Sequence, residues 1–111
     1  MYDYLKGQLI QITEELNNLV YDLDRQYYNE LILRHRTITN VIYMSREYKD
    51  VDTLKALLAD KIRMEQILQK GYNIRYSNND ITYDEYLELT YQSNIVTGIY
   101  SEVIEFIESH K

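Results

Sequence analysis

Apolar residues near the N-terminus recur at Leu5, Leu9, Ile12, Leu16, Leu19 and Leu23, in steps of 4, 3, 4, 3 and 4. That is the a/d spacing of a heptad stripe held for almost three repeats, which gathers these side chains on one side of an α-helix. A strand would need the alternation of Gln8, Ile10 and Ile12 to continue, and it fails at Thr13–Glu14–Glu15. The pattern predicts a helix over about residues 2–23, with Gly7 as its weak point at about 1 kcal/mol relative to Ala.

Past Leu23 the apolar positions run on as Tyr27, Leu31, Ile38, Val41, Ile42 and Tyr48. The register slips near 23–27, as if four residues were inserted. Two readings are open: a bend at Asp22–Leu23–Asp24 starts a second helix over about 25–49, or the first two segments merge into one long helix with a stutter. The bend is favoured because a compact bundle buries more surface per residue.

Asp50–Val51–Asp52 reads as a break, with Asp52 the N-cap of a third helix over about 53–70 and Gly71 at its C-terminus. Leu54, Leu57, Leu58, Met64 and Leu68 fall on one side of it, and Lys61 and Glu65 fall within the same stripe, which predicts partly solvated packing. The stretch GYNIRYSNNDI, rich in Asn and Ser, reads as a loop. Thr82 and Glu85 then have the spacing of a capping box, flanked by Ile81 and Tyr86 as a hydrophobic staple. The last helix is predicted over 83–109, where Ile95, Val96, Ile99, Val103, Phe106 and Ile107 form an arc wide enough for two neighbours. The expected fold is all-α: a small bundle of four helical segments in a single helical domain, 1–111.

Composition adds limits. The 111 residues include no Pro and no Cys, so disulfides and thiolate chemistry are excluded and a reducing, cytoplasmic setting is expected. No stretch approaches the roughly 20 apolar residues of a membrane span, and no basic-then-apolar leader opens the chain, so no membrane role is expected. The 13 tyrosines, the abundance of Ile and Asn, and alanine only at positions 56 and 59 fit an AT-rich genome, that of a low-GC bacterium or its phage or mobile element.

The net charge of −6 is unevenly spread: residues 1–24 carry −4, residues 25–75 carry +4 and residues 76–111 carry −6. Acidic outer helices beside basic middle ones can fix pairing within a bundle, each exposed pair contributing a few tenths of a kcal/mol. They can also be functional faces. In TYDEYLELTYQ, Tyr83, Tyr86 and Tyr91 alternate with Asp84, Glu85 and Glu88. Tyrosine is rigid, large and amphipathic, and carboxylates beside it suit a basic partner. The candidate partner-binding residues are therefore Tyr83, Asp84, Tyr86, Glu88 and Tyr91, extended by Glu102 and Glu105. An alternative, nucleic-acid binding through Arg25, Arg34, Arg36 and Arg46, is opposed by the overall acidity, and Arg34 and Arg36 point about 200° apart on a helix. A third possibility is a coiled-coil homodimer through the Leu5–Leu23 stripe.

Catalytic patterns are wanting. The histidines are His35 and His110, and no nucleophile elbow accompanies either. There is no Glu-x-x-His pair for a di-metal bundle, and SNNDITYDE does not fit a calcium loop in any frame. Three scattered glycines cannot build a phosphate loop. No enzyme activity, cofactor or metal is expected. The reading is a non-catalytic protein that binds another protein as inhibitor, immunity factor, anti-defence factor or adaptor.

Overall fold

The computed structural model describes residues 1–20 and 23–110, which form four α-helices and no strand. They are α1 (Tyr2–Asn18), α2 (Arg25–Glu47), α3 (Val51–Ser77) and α4 (Tyr83–Ser109). The all-α bundle expected from the apolar periodicity is what the chain builds.

α1 ends earlier than its stripe. Leu19 turns extended, with φ −88° and ψ 146°, and α2 begins at Arg25, so the two segments do not merge into one helix. Asp22, named in the expected bend, lies outside the described residues. Leu5 and Ile12 are buried and Leu9, Leu16 and Leu19 pack against the same core, whereas Leu23 is 81% exposed. The stripe is thus spent within its own chain.

α3 departs most from expectation. Its N-cap is Asp50, not Asp52, with the Thr53 hydroxyl donating to the Asp50 carboxylate at 2.8 Å. The helix does not stop at Gly71 but runs on to Ser77, so most of the expected loop is helical. The reason lies across the interface: Tyr76 stacks on Tyr86 with ring centroids 5.1 Å apart, and the Tyr86 hydroxyl donates to Asn73. Such contacts outweigh the cost of about 1 kcal/mol for one interior glycine. The helix ends in a Schellman motif instead: the Asp80 amide donates to the Arg75 carbonyl at 2.8 Å and the Asn79 amide to Tyr76 at 3.1 Å. Asn79 takes the required left-handed conformation, φ 62°, which asparagine tolerates better than most side chains. α4 starts on the expected capping box, with Thr82 Oγ1 accepting from the Glu85 amide at 3.1 Å and the Thr82 amide donating to the Glu85 carboxylate at 3.2 Å.

The packing order is α1 on α2, α2 on α4, and α4 on α3; α3 touches α2 only marginally. Tyr27 of α2 reaches Glu15 of α1 and Arg46 lies over the Tyr2 ring, so α1 and α2 are antiparallel. Lys55 pairs with Glu108 at 2.7 Å while Asn73 meets Tyr86, so α3 and α4 are antiparallel too. The array is flat, 45 × 35 × 22 Å, about two helix diameters thick. Its radius of gyration is 15.8 Å, against roughly 13 Å for a sphere-like chain of this length.

The shape follows from where the core sits. Leu5, Val41, Leu54, Leu58, Ile99, Val103 and Ile107 form one buried cluster, and α3 contributes no fully buried residue beyond Leu58. Met64 and Leu68, expected on the packed side, are 63% and 47% exposed. Beyond Ile62, α3 meets α4 through polar groups: Ser93 donates to Glu65 at 2.7 Å, and the Gln69 amide donates to Ser93 at 3.0 Å and Asn94 at 2.9 Å. The distal halves of α3 and α4 therefore form a polar and aromatic arm projecting from an aliphatic core.

Candidate partner-binding surface

The arm carries most of the residues singled out by sequence, but not on one face. Tyr83 and Tyr86 turn toward the end of α3. Tyr83 lies 5.7 Å from the Tyr76 ring and is 56% exposed, while Tyr86 is half-buried against Tyr76 and Asn73. Asp84, Glu88 and Tyr91 follow the edge of α4 that faces the start of α2. Asp84 and Glu88 are exposed and form no ion pair among the described residues; Glu88 accepts from Gln92 at 2.9 Å. Glu102 lies apart, lining a recess of about 300 Å³ with Glu15, Tyr27 and Arg34. Glu105 is exposed farther along α4.

Between α2 and α4 lies a cleft of about 580 Å³, lined by Arg25, Glu30, Arg36, Glu88 and Tyr91 among others. Its central contact joins the helices: the Tyr91 hydroxyl donates to Glu30 at 2.7 Å, and Arg34 Nε donates to the other oxygen of that carboxylate at 3.2 Å. The hydrogen bond to Glu30, then burial, push the Tyr91 hydroxyl above its ordinary pKa. Glu30 was not singled out by sequence, although its i,i+4 spacing to Arg34 is the usual helix ion-pair signal. Leu87 was also missed. It is 46% exposed and stands one turn from both Tyr83 and Tyr91.

The four arginines of the nucleic-acid alternative do not make one surface. Arg25 and Arg36 share the cleft with Glu30 and Glu88, Arg34 is held by Glu30, and Arg46 stands 5.6 Å from the Tyr2 ring.

The site holds little reactive chemistry. Among the described residues no three His, Asp or Glu converge as metal ligands. His110 places Nδ1 2.8 Å from the Phe106 carbonyl, which can only accept, so that nitrogen donates and caps the end of α4. Ser109 donates its hydroxyl to the Glu105 carbonyl at 2.8 Å. The adjacent serine and histidine are therefore not a nucleophile and base. Among the described residues no helix is long and apolar enough to cross a membrane.

Compared with protein families, curated proteins and solved structures, the chain finds no match in any of the three.

Proposed function

We propose that this chain is a non-catalytic protein-binding protein of the inhibitor, immunity, anti-defence or adaptor type, from a low-GC bacterium or its phage or mobile element, and that the edge of α4 meets a basic surface on its partner. The observation that carries this reading is the exposed pair Leu87 and Tyr91, 46% and 39% accessible, one turn apart beside the carboxylates of Asp84 and Glu88, with Tyr83 exposed one turn earlier on the side toward α3. Large amphipathic side chains on a rigid helix act as anchors at low entropic cost. Flanking carboxylates speed encounter with a basic surface and fix its register. The bond from Tyr91 to Glu30 holds this edge against α2 before any partner arrives, which lowers the ordering cost of binding.

The test is an affinity pull-down from a low-GC bacterial lysate, with and without nuclease, using the wild type and an Asp84→Lys/Glu88→Lys variant. One stoichiometric protein that survives nuclease and is lost with the variant is the expected result. Equal capture by the variant removes this edge from consideration, and recovery that vanishes with nuclease overturns the protein-binding reading.

A further inference from the structure

The arm has a second unpartnered face, on α3. Met64, Ile67, Leu68 and Ile74 are 63%, 62%, 47% and 62% exposed, and their spacing of i, i+3, i+4 and i+10 gathers them along one flank of the helix. This flank is distinct from the side that Glu65, Gln69, Asn73 and Tyr76 turn to α4. It is open because α2, which could have covered it in a closed four-helix bundle, packs on α4 instead. The stripe spans about 15 Å, or about three helical turns.

Its borders are basic. Lys61, Arg63, Lys70 and Arg75 are all exposed. Arg63 reaches Asp60 at 2.6 Å, while Lys61 and Lys70 form no ion pair among the described residues. We propose that this flank of α3 is a docking surface for an acidic amphipathic helix of a partner protein, with apolar side chains on the Met64–Ile74 stripe and carboxylates on the bordering lysines and arginines. A second copy fits poorly, since antiparallel self-pairing of the stripe sets Lys61 of one chain against Arg75 of the other and parallel pairing sets the Lys61 and Arg75 border of one chain against the Arg63 and Lys70 border of the other. An anionic membrane fits less well than a helix. The chain's net charge of −6 repels an extended anionic surface at long range, whereas a helix laid along the flank meets chiefly its bordering cations. This surface is separate from the α4 edge and stands whether or not that edge binds.

The test is a display library of amphipathic helices with a fixed apolar stripe and flanking positions varied among Glu, Gln and Lys, selected on the full chain. Glu-flanked members should be enriched, and Ile67→Asp or Ile74→Asp should weaken their binding at least about 10-fold. These positions are mostly exposed, so far-UV dichroism should be unchanged. A Lys70→Glu/Arg75→Glu variant should shift the preference to Lys-flanked members while leaving binding by the α4 edge intact. No enrichment, enrichment of neutral or basic helices, or indifference to these substitutions overturns the proposal. So does sedimentation with phosphatidylserine vesicles in place of peptide binding, or a dimer that Ile67→Asp dissociates.

Discussion

Tyr91 on α4 and Glu30 on α2 are joined by a 2.7 Å hydrogen bond to one oxygen of the Glu30 carboxylate while Arg34 holds the other, so one carboxylate ties two parallel helices together at the mouth of their cleft. The hydroxyl is held protonated: the hydrogen bond to Glu30, then burial, raise its pKa above the ordinary 10.0.

Tyr91→Phe keeps the ring and removes the bond. At a position 39% exposed the loss should be no more than about 1 kcal/mol after solvent screening. Its pH dependence identifies it. A raised folded pKa stabilises the fold up to the ordinary tyrosine value, and the contribution fades as the pH rises through the folded value. Stability curves of the wild type and Tyr91→Phe should therefore converge above pH 10.0. A constant gap across that range would assign the effect to packing.

At the start of α4 the sign is reversed. The Thr82 amide, then the Thr82 hydroxyl, hold the Glu85 carboxyl below its ordinary value of 4.5. A lowered folded pKa gives stability that is present above 4.5 and lost as the pH falls through the folded value. Glu85→Gln should flatten the acid limb of the stability curve, and Thr82→Ala should cost about 1 kcal/mol at neutral pH. Thermal denaturation between neutral pH and acid measures both.

Leu58 and Leu23 test the placement of the core. Leu58 is 0% exposed and Leu23 81%. Leu58→Ala should cost about 2–5 kcal/mol through lost burial and a residual cavity, a large share of a total expected at about 5–15 kcal/mol. Leu23→Ala should stay within about 0.5 kcal/mol. Urea titration distinguishes them, and equal losses would contradict the fold.

Gly71 sits inside α3 with nothing within 4 Å of where a Cβ would stand. Gly71→Ala should therefore stabilise the protein by about 0.5–1 kcal/mol, by helix propensity and a less flexible unfolded chain. A decrease in melting temperature would show that this part of α3 is not helical in solution.

Gly71 also marks the limit of what local sequence reveals. A glycine followed by Asn, Arg, Ser and Asn looks like a helix end, and it is Tyr83, Tyr86, Ser93 and Asn94, beyond the reach of the local pattern, that hold Asn73, Tyr76 and Gln69 in helical register. The same limit applies to Met64 and Leu68: periodicity places them on an apolar flank, but whether another helix covers it depends on which neighbours pack. By contrast, the α4 boundaries and its Thr82–Glu85 cap were legible, because a capping box is short-range chemistry written within four residues. The acidic tyrosines were legible as residue types. Their division between the side toward α3 and the edge toward α2 was not, since it follows from the Tyr76 ring and from Glu30.

The one-after-another packing of α1, α2, α4 and α3 has a consequence for how the molecule opens. α2 and α4 are each gripped from two sides, whereas α1 leans on α2 and adds little beyond the stacking of Tyr4 on Phe106, 4.2 Å between ring centroids. A terminal layer in such a series can lift away without breaking the contacts of the layers behind it. Backbone amides of α1 should therefore exchange with deuterium through a partial opening well below the free energy of global unfolding. Those at the centre of α4 should wait for the whole array to come apart.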